Sequence, residues 1–268
     1  MKKKPSVLYF TIGTFLLSFV LWGIIIIGQQ MGGFAPGSTG FMLLHIIGGN
    51  SPAILAYLSL RRANPGYTLK EYLKSVFTFK QKPLYYLLVI VMVALNFITP
   101  AMIGGLATEP VAALESMGFS GHMPLYLAII LIPLFFFGGG SEELGWRGIM
   151  QPGLEEKMHV IPATMITAAF WTLWHLPLWF IAGTGQAEIH FGLFFVSVVG
   201  LSFALAVVRR VTGSVWMCVL FHCAINSLQG SLPIIDNTVN KIVICAVYTV
   251  ISIAILFWHE KKVKAVEA

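Results

Sequence analysis

An all-α, polytopic membrane protein, with about eight transmembrane helices in one bundle, is the fold class this sequence predicts. Three observations predict it. Composition is the first: 57% of the residues are hydrophobic and 10% are charged, whereas a soluble globular domain carries about 25% charged residues. Mean hydropathy is +0.83. The second is the recurrence of apolar runs of about 20 residues, the length an α-helix needs to cross a bilayer core. The third is a stretch from Pro5 to Leu60 without a single Asp, Glu, Lys or Arg. Inside lipid every backbone polar group must be satisfied within the chain, so such runs are helices.

The spans are expected at about 7–28, 41–60, 84–105, 123–150, 161–182, 190–208, 213–230 and 240–258. Lys2-Lys3-Lys4 before the first run resembles a signal peptide. However, Ser6–Gly28 is too long for its apolar region and no small-residue cleavage site follows, so a retained helix is expected. The second span is interrupted by Gly48-Gly49-Asn50-Ser51-Pro52, which suits a re-entrant or interfacial piece. The loop Arg61–Lys82 sets Tyr72, Leu73, Val76 and Phe77 between lysines. It fits either a basic amphipathic helix on an anionic leaflet or a solvated basic loop. Gly138-Gly139-Gly140 predicts a bend or unwinding inside the fourth span. Pro177 frees a carbonyl in the fifth. Cys218, Cys223 and Cys245 all fall in spans, which argues for core thiols rather than disulfides.

Basic residues set the orientation. With the N-terminus in the cytoplasm, 16 of the 17 Lys and Arg lie on the inside and Lys241 alone lies outside. Both termini are then cytoplasmic. The net charge of +6 follows from this topology, so no nucleic-acid partner is expected; the lipid bilayer is. No repeat or linker divides the chain, which predicts one domain over residues 1–268.

Three polar clusters stand inside or against the apolar runs: Glu142-Glu143-x-x-x-Arg147, His175, and His222-x-x-x-Asn226. Ionisable groups at such depth are costly and usually serve a task. Glu143 and Arg147, at i, i+4, can pair along one helix face. Glu142 points about 100° away and is left to accept a proton. His222 and Asn226 share one face of the seventh span; they could polarise a carbonyl oxygen or could bond two helices together. Interfacial charge is the alternative for the acids, and a hydrogen-bonded core residue is the alternative for His175. The three clusters together favour a site, because each alternative must hold independently. His45, His122, His159, His190 and His259 fall near span ends or loops, as interfacial residues do.

At these residues the chain resembles the CAAX-processing and bacteriocin-processing (CPBP, or Abi) family of intramembrane proteases. The family pattern is E-E-x-x-x-R, then F-x-x-x-H, then H-x-x-x-N or H-x-x-x-D. Glu142, Glu143 and Arg147 match the first, within Ser-Glu-Glu-Leu-Gly-Trp-Arg-Gly, and His222 and Asn226 match the third. The second departs from the pattern: Trp171 stands four residues before His175, with Phe170 one place early.

The resemblance covers about residues 120–230 and implies a catalytic core there, with residues 1–119 accessory. It implies peptide-bond hydrolysis at the membrane, with Glu142 and His175 activating water. His222 and Asn226 would form the oxyanion hole, and Glu143, Arg147 and Trp171 would support them. No cofactor is preferred; a Zn2+ held by Glu142, His175 and His222 is the alternative, leaving an open position for water. The substrate is expected to be a peptide or membrane-protein tail. Prenylated CaaX peptides are the family's eukaryotic substrate. The short loops and compact size suggest a bacterial cell membrane, and with it pheromone or bacteriocin precursors. A proton-coupled transporter and a non-catalytic immunity or secretion scaffold are the competing classes.

Overall fold

The computed structural model describes residues 3–103, 139–229 and 237–267, all of them helix, turn or connecting coil with no strand among them. α1 (Val7–Gln30) starts where the Ser6 hydroxyl accepts the Tyr9 N–H. α2 (Thr39–Gly49) and α3 (Ser51–Ala63) meet at 48°, so the interruption expected at residues 48–52 is a real break. α4 (Leu69–Val76) forms in the basic loop behind a Thr68/Glu71 capping box. Tyr72 and Val76 face inward from it, and Leu69 and Leu73 are exposed. The Tyr72 hydroxyl donates to the Ala53 carbonyl at 3.2 Å, and burial pushes its phenol well above the ordinary range. α5 (Pro83–Met102) follows.

Residues 140–155 are helical but not uniformly so. A 3-10 turn at Gly140–Glu142 leads into α6 (Glu143–Gly145), a π-helix at Trp146–Met150 and α7 (Gln151–Glu155). π-helical turns are rare and often stand at functional sites. α8 (Val160–Trp174) begins with the His159 ring nitrogen accepting the Ile161 N–H. After 3-10 turns at Leu176–Phe180 and Gly185–Glu188 come α9 (Phe191–Thr212), α10 (Val215–Gln229) and α11 (Thr238–Glu267).

Among the described residues, α1, α5, α9 and α11 are long and apolar enough to cross a membrane, and the bent α2–α3 pair makes a fifth. Eight spans were expected. The one at 123–150 lies outside the described residues up to 138. The one at 161–182 takes the form of a 15-residue helix, α8, and α10 stands at the one expected over 213–230, described up to Gln229. α8 is about 22 Å long, short of the ~30 Å apolar core of a bilayer. The reason in α8 is Pro177, which has no N–H to continue the ladder.

The chain forms two compact units. The first comprises Met1–Phe77 and Ser141–Phe195. Its centre is a chain of aromatic rings. Phe10 meets Trp146 edge-on at 5.5 Å, Trp146 meets Trp174 at 5.9 Å, and Trp174 meets Trp22 at 5.1 Å. Such offset and edge contacts add to the burial of the rings themselves. Gly145 allows the close approach, because a methyl there would fall 2.6 Å from Phe10 and 2.8 Å from Pro52.

The second unit comprises Thr78–Gly140 and Val196–Ala268. In it α5 packs against α10 and α11. The Tyr248 hydroxyl donates to the Met92 carbonyl at 2.8 Å, and Gly200 lets α9 press against the Cys245 backbone. All three cysteines are free thiols.

Candidate active site

Glu142 closes the 3-10 turn and Glu143 opens α6, so the adjacent carboxylates diverge. Glu143 is fully buried with Arg147, whose Nη1 lies 3.3 Å from Oε1 and 3.2 Å from Oε2. The pairing expected from the i, i+4 spacing is therefore present. The Arg147 guanidinium also lies over the Trp171 ring, 4.7 Å from its centre, which partly replaces the hydration of the cation.

Glu142 faces α8 instead. The Trp171 indole N–H donates to its Oε2 at 2.5 Å. One turn further on, α8 ends. The His175 backbone N–H turns to the Thr172 carbonyl at 3.1 Å, and the Trp171 carbonyl, left over at the helix end, takes the His175 ring at Nδ1, 2.8 Å away. A carbonyl only accepts, so Nδ1 carries a proton. Nε2 is then the nitrogen turned towards Glu142, at 4.0 Å from Oε2. Trp174 and Phe194 hold the imidazole edge-on, at 4.6 and 5.1 Å. Glu142 and His175 are each 8% exposed. A separation of 4.0 Å is too long for a direct hydrogen bond, and one water can span it.

Sequence reasoning missed part of this support. The Ser141 hydroxyl donates to Asn50 Oδ1 at 2.6 Å, and the Trp174 indole N–H donates to Ser51 Oγ at 3.2 Å. Asn50 in turn caps the Ile46 carbonyl through Nδ2 at 2.8 Å. The α2–α3 break thus anchors the residue before Glu142 and the residue before His175. Its one sequence signal was the polar interruption at residues 48–52.

In the second unit, His222 and Asn226 lie one turn apart on α10. His222 is buried and Asn226 half-buried. Both turn to Gly139, which has φ +90°. A methyl on Gly139 would fall 2.6 Å from His222 Nε2 and 2.9 Å from Asn226 Nδ2. Glycine is therefore required here for conformation and for space. The two nitrogens converge on the Gly139 main chain. Among the described residues, no group of three or more His, Cys, Asp or Glu side chains is gathered as a metal site.

An all-helical, apolar chain carrying buried acids and imidazoles has the makings of a membrane-embedded hydrolase. Comparison with known proteins agrees. The family described as type II CAAX prenyl endopeptidase Rce1-like matches residues 124–228. CAAX prenyl protease 2 of Methanococcus maripaludis is 26% identical over 277 aligned residues, covering 97% of this chain and 96% of that one. Residues 124–228 are similar to an Rce1-like CAAX prenyl endopeptidase domain, and the chain is a protease.

Proposed function

We propose that the chain is an intramembrane endopeptidase in which Glu142 acts as general base on a water shared with His175. His222 and Asn226 stabilise the oxyanion of the tetrahedral intermediate. The observation that carries this reading is the Glu142–His175 arrangement: two proton-handling groups 4.0 Å apart in apolar surroundings, each held by Trp171. Glu142 takes the water proton as the oxygen attacks the scissile carbonyl, and returns it to the leaving amine. The carbonyl oxygen gains charge in that step, and two preformed donors are worth most where water is excluded. The substrate is a peptide tail held at the membrane, such as a prenylated CaaX end or a pheromone or bacteriocin precursor.

One observation favours a second reading. An imidazole whose Nδ1–H is bonded to a carbonyl is also the usual state of a zinc-bound histidine. Glu142, His175 and His222 would hold the ion, which would acidify a bound water. Asn226 has no part in that donor set. In the metal-free reading Asn226→Ala lowers kcat by roughly 10²–10³ with little effect on KM, and His222→Ala does at least the same. Metal content of the two purified variants decides between the readings. Stoichiometric zinc in the wild type, kept by Asn226→Ala and lost by His222→Ala, would overturn the metal-free choice.

The 16-to-1 distribution of basic residues supports cytoplasmic termini and a site that opens to the cytosol. A reporter active only outside the cell, fused after Ala268, is expected to stay silent. Strong activity from that fusion would reverse the topology.

A further inference from the structure

We infer that Trp171 is the positioning residue of the site, and that its indole N–H fixes the carboxylate plane of Glu142. This rests on the reading of Glu142 as the base. The residue does two things at once. Its side chain donates to Glu142 Oε2, and its carbonyl accepts from His175 Nδ1 at 2.8 Å. One residue thereby sets the direction of both groups that would share the water. Loss of this bond would remove a restraint on the carboxylate's terminal torsion, which is soft. With Oε2 tied to the indole, the lone pairs of both oxygens have fixed directions.

The indole is itself held. Arg147 lies on its face at 4.7 Å, and that guanidinium is bound to Glu143 at 3.2 Å. Trp171 is also 2% exposed, so its N–H is screened from bulk solvent. The chain of support runs from the Glu143–Arg147 pair through the ring to Glu142. A phenylalanine would fill much of the space and offer Arg147 a ring face, but it has no N–H to give.

The test replaces only that N–H. 3-Benzothienylalanine at position 171 keeps the shape and ring face of tryptophan and puts sulfur in place of the donor. Trp171→Phe is the simpler companion. Each is assayed in nanodiscs on an internally quenched peptide ending in a farnesylated CaaX sequence. A misaligned base costs rate rather than binding, so the benzothienyl variant is expected to lose about tenfold to a hundredfold in kcat. KM should stay within about twofold of wild type, and the melting temperature should fall by no more than the loss of one buried hydrogen bond accounts for. A benzothienyl variant with full kcat overturns the inference, including the case in which Trp171→Phe alone is impaired.

A second measurement does not depend on turnover. The ultraviolet resonance Raman spectrum of the wild type, minus that of the benzothienyl variant, isolates the Trp171 indole. Its N–H mode should indicate a strong hydrogen bond that weakens in Glu142→Ala. An unchanged mode overturns the inference. Glu142→Gln in the same assay separates the two claims. If it cleaves as the wild type does, the general-base reading fails. If it is inactive while the benzothienyl variant is fully active, only the positioning role falls.

Discussion

Glu142→Gln is expected to abolish measurable turnover while the protein folds and accumulates as the wild type does. The amide is nearly isosteric with the carboxylate and keeps an oxygen that can accept the Trp171 N–H, so the contact at Oε2 has a replacement. What it cannot do is take a proton. General-base catalysis contributes roughly 10²–10⁴ in rate, and the adjacent carboxylate does not stand in for it: Glu143 is committed to Arg147 at 3.2 Å in a fully buried pair. Cleavage of the farnesylated peptide in nanodiscs, beside a thermal melt of the same sample, checks both halves. Normal turnover would remove Glu142 from the mechanism. Lost turnover with a lowered melting temperature would make it a structural residue.

Glu143→Gln should show the opposite balance. Arg147 is 0% exposed, and the change takes a negative counter-charge away from a buried cation. Breaking a buried pair in this way costs about 3–5 kcal/mol. The ring of Trp171, worth about 2 kcal/mol when desolvated, does not replace that counter-charge. Activity should fall too, through Trp171. The double variant Glu143→Met/Arg147→Met is expected to regain most of the stability, since replacing both partners by apolar groups is often neutral. Denaturant titration in detergent measures all three. A Glu143→Gln protein as stable as the wild type would show that the pair contributes nothing to the fold.

How much of this was legible in the sequence depends on the range of the interaction. The Glu143–Arg147 pair is local, and its spacing alone predicted it. So did the convergence of His222 and Asn226 on one helix face. The long helices were legible because lipid demands an unbroken apolar run: 7–28, 84–105, 190–208 and 240–258 were expected, and α1, α5, α9 and α11 stand there. α8 was expected to run to 182 and stops at Trp174, although Pro177 carried the signal. The bond from Trp171 to Glu142 joins residues 29 apart, and that from Ser141 to Asn50 joins residues 91 apart. No periodicity encodes such meetings. Nor does composition distinguish Gly139, whose missing methyl matters only because two nitrogens of α10 occupy the space around it.

The anchoring at the α2–α3 break has a consequence for how the protein is made. Asn50 and Ser51 are synthesised long before the residues they hold. At about 5–20 residues per second, Ser141 leaves the ribosome some 5–18 s after Asn50, and Trp174 follows Ser51 by a comparable interval. The acceptor oxygens of the break are thus already in the chain when their donors arrive. The order of synthesis therefore puts the acceptors of the break in place before the segment bearing Glu142 emerges.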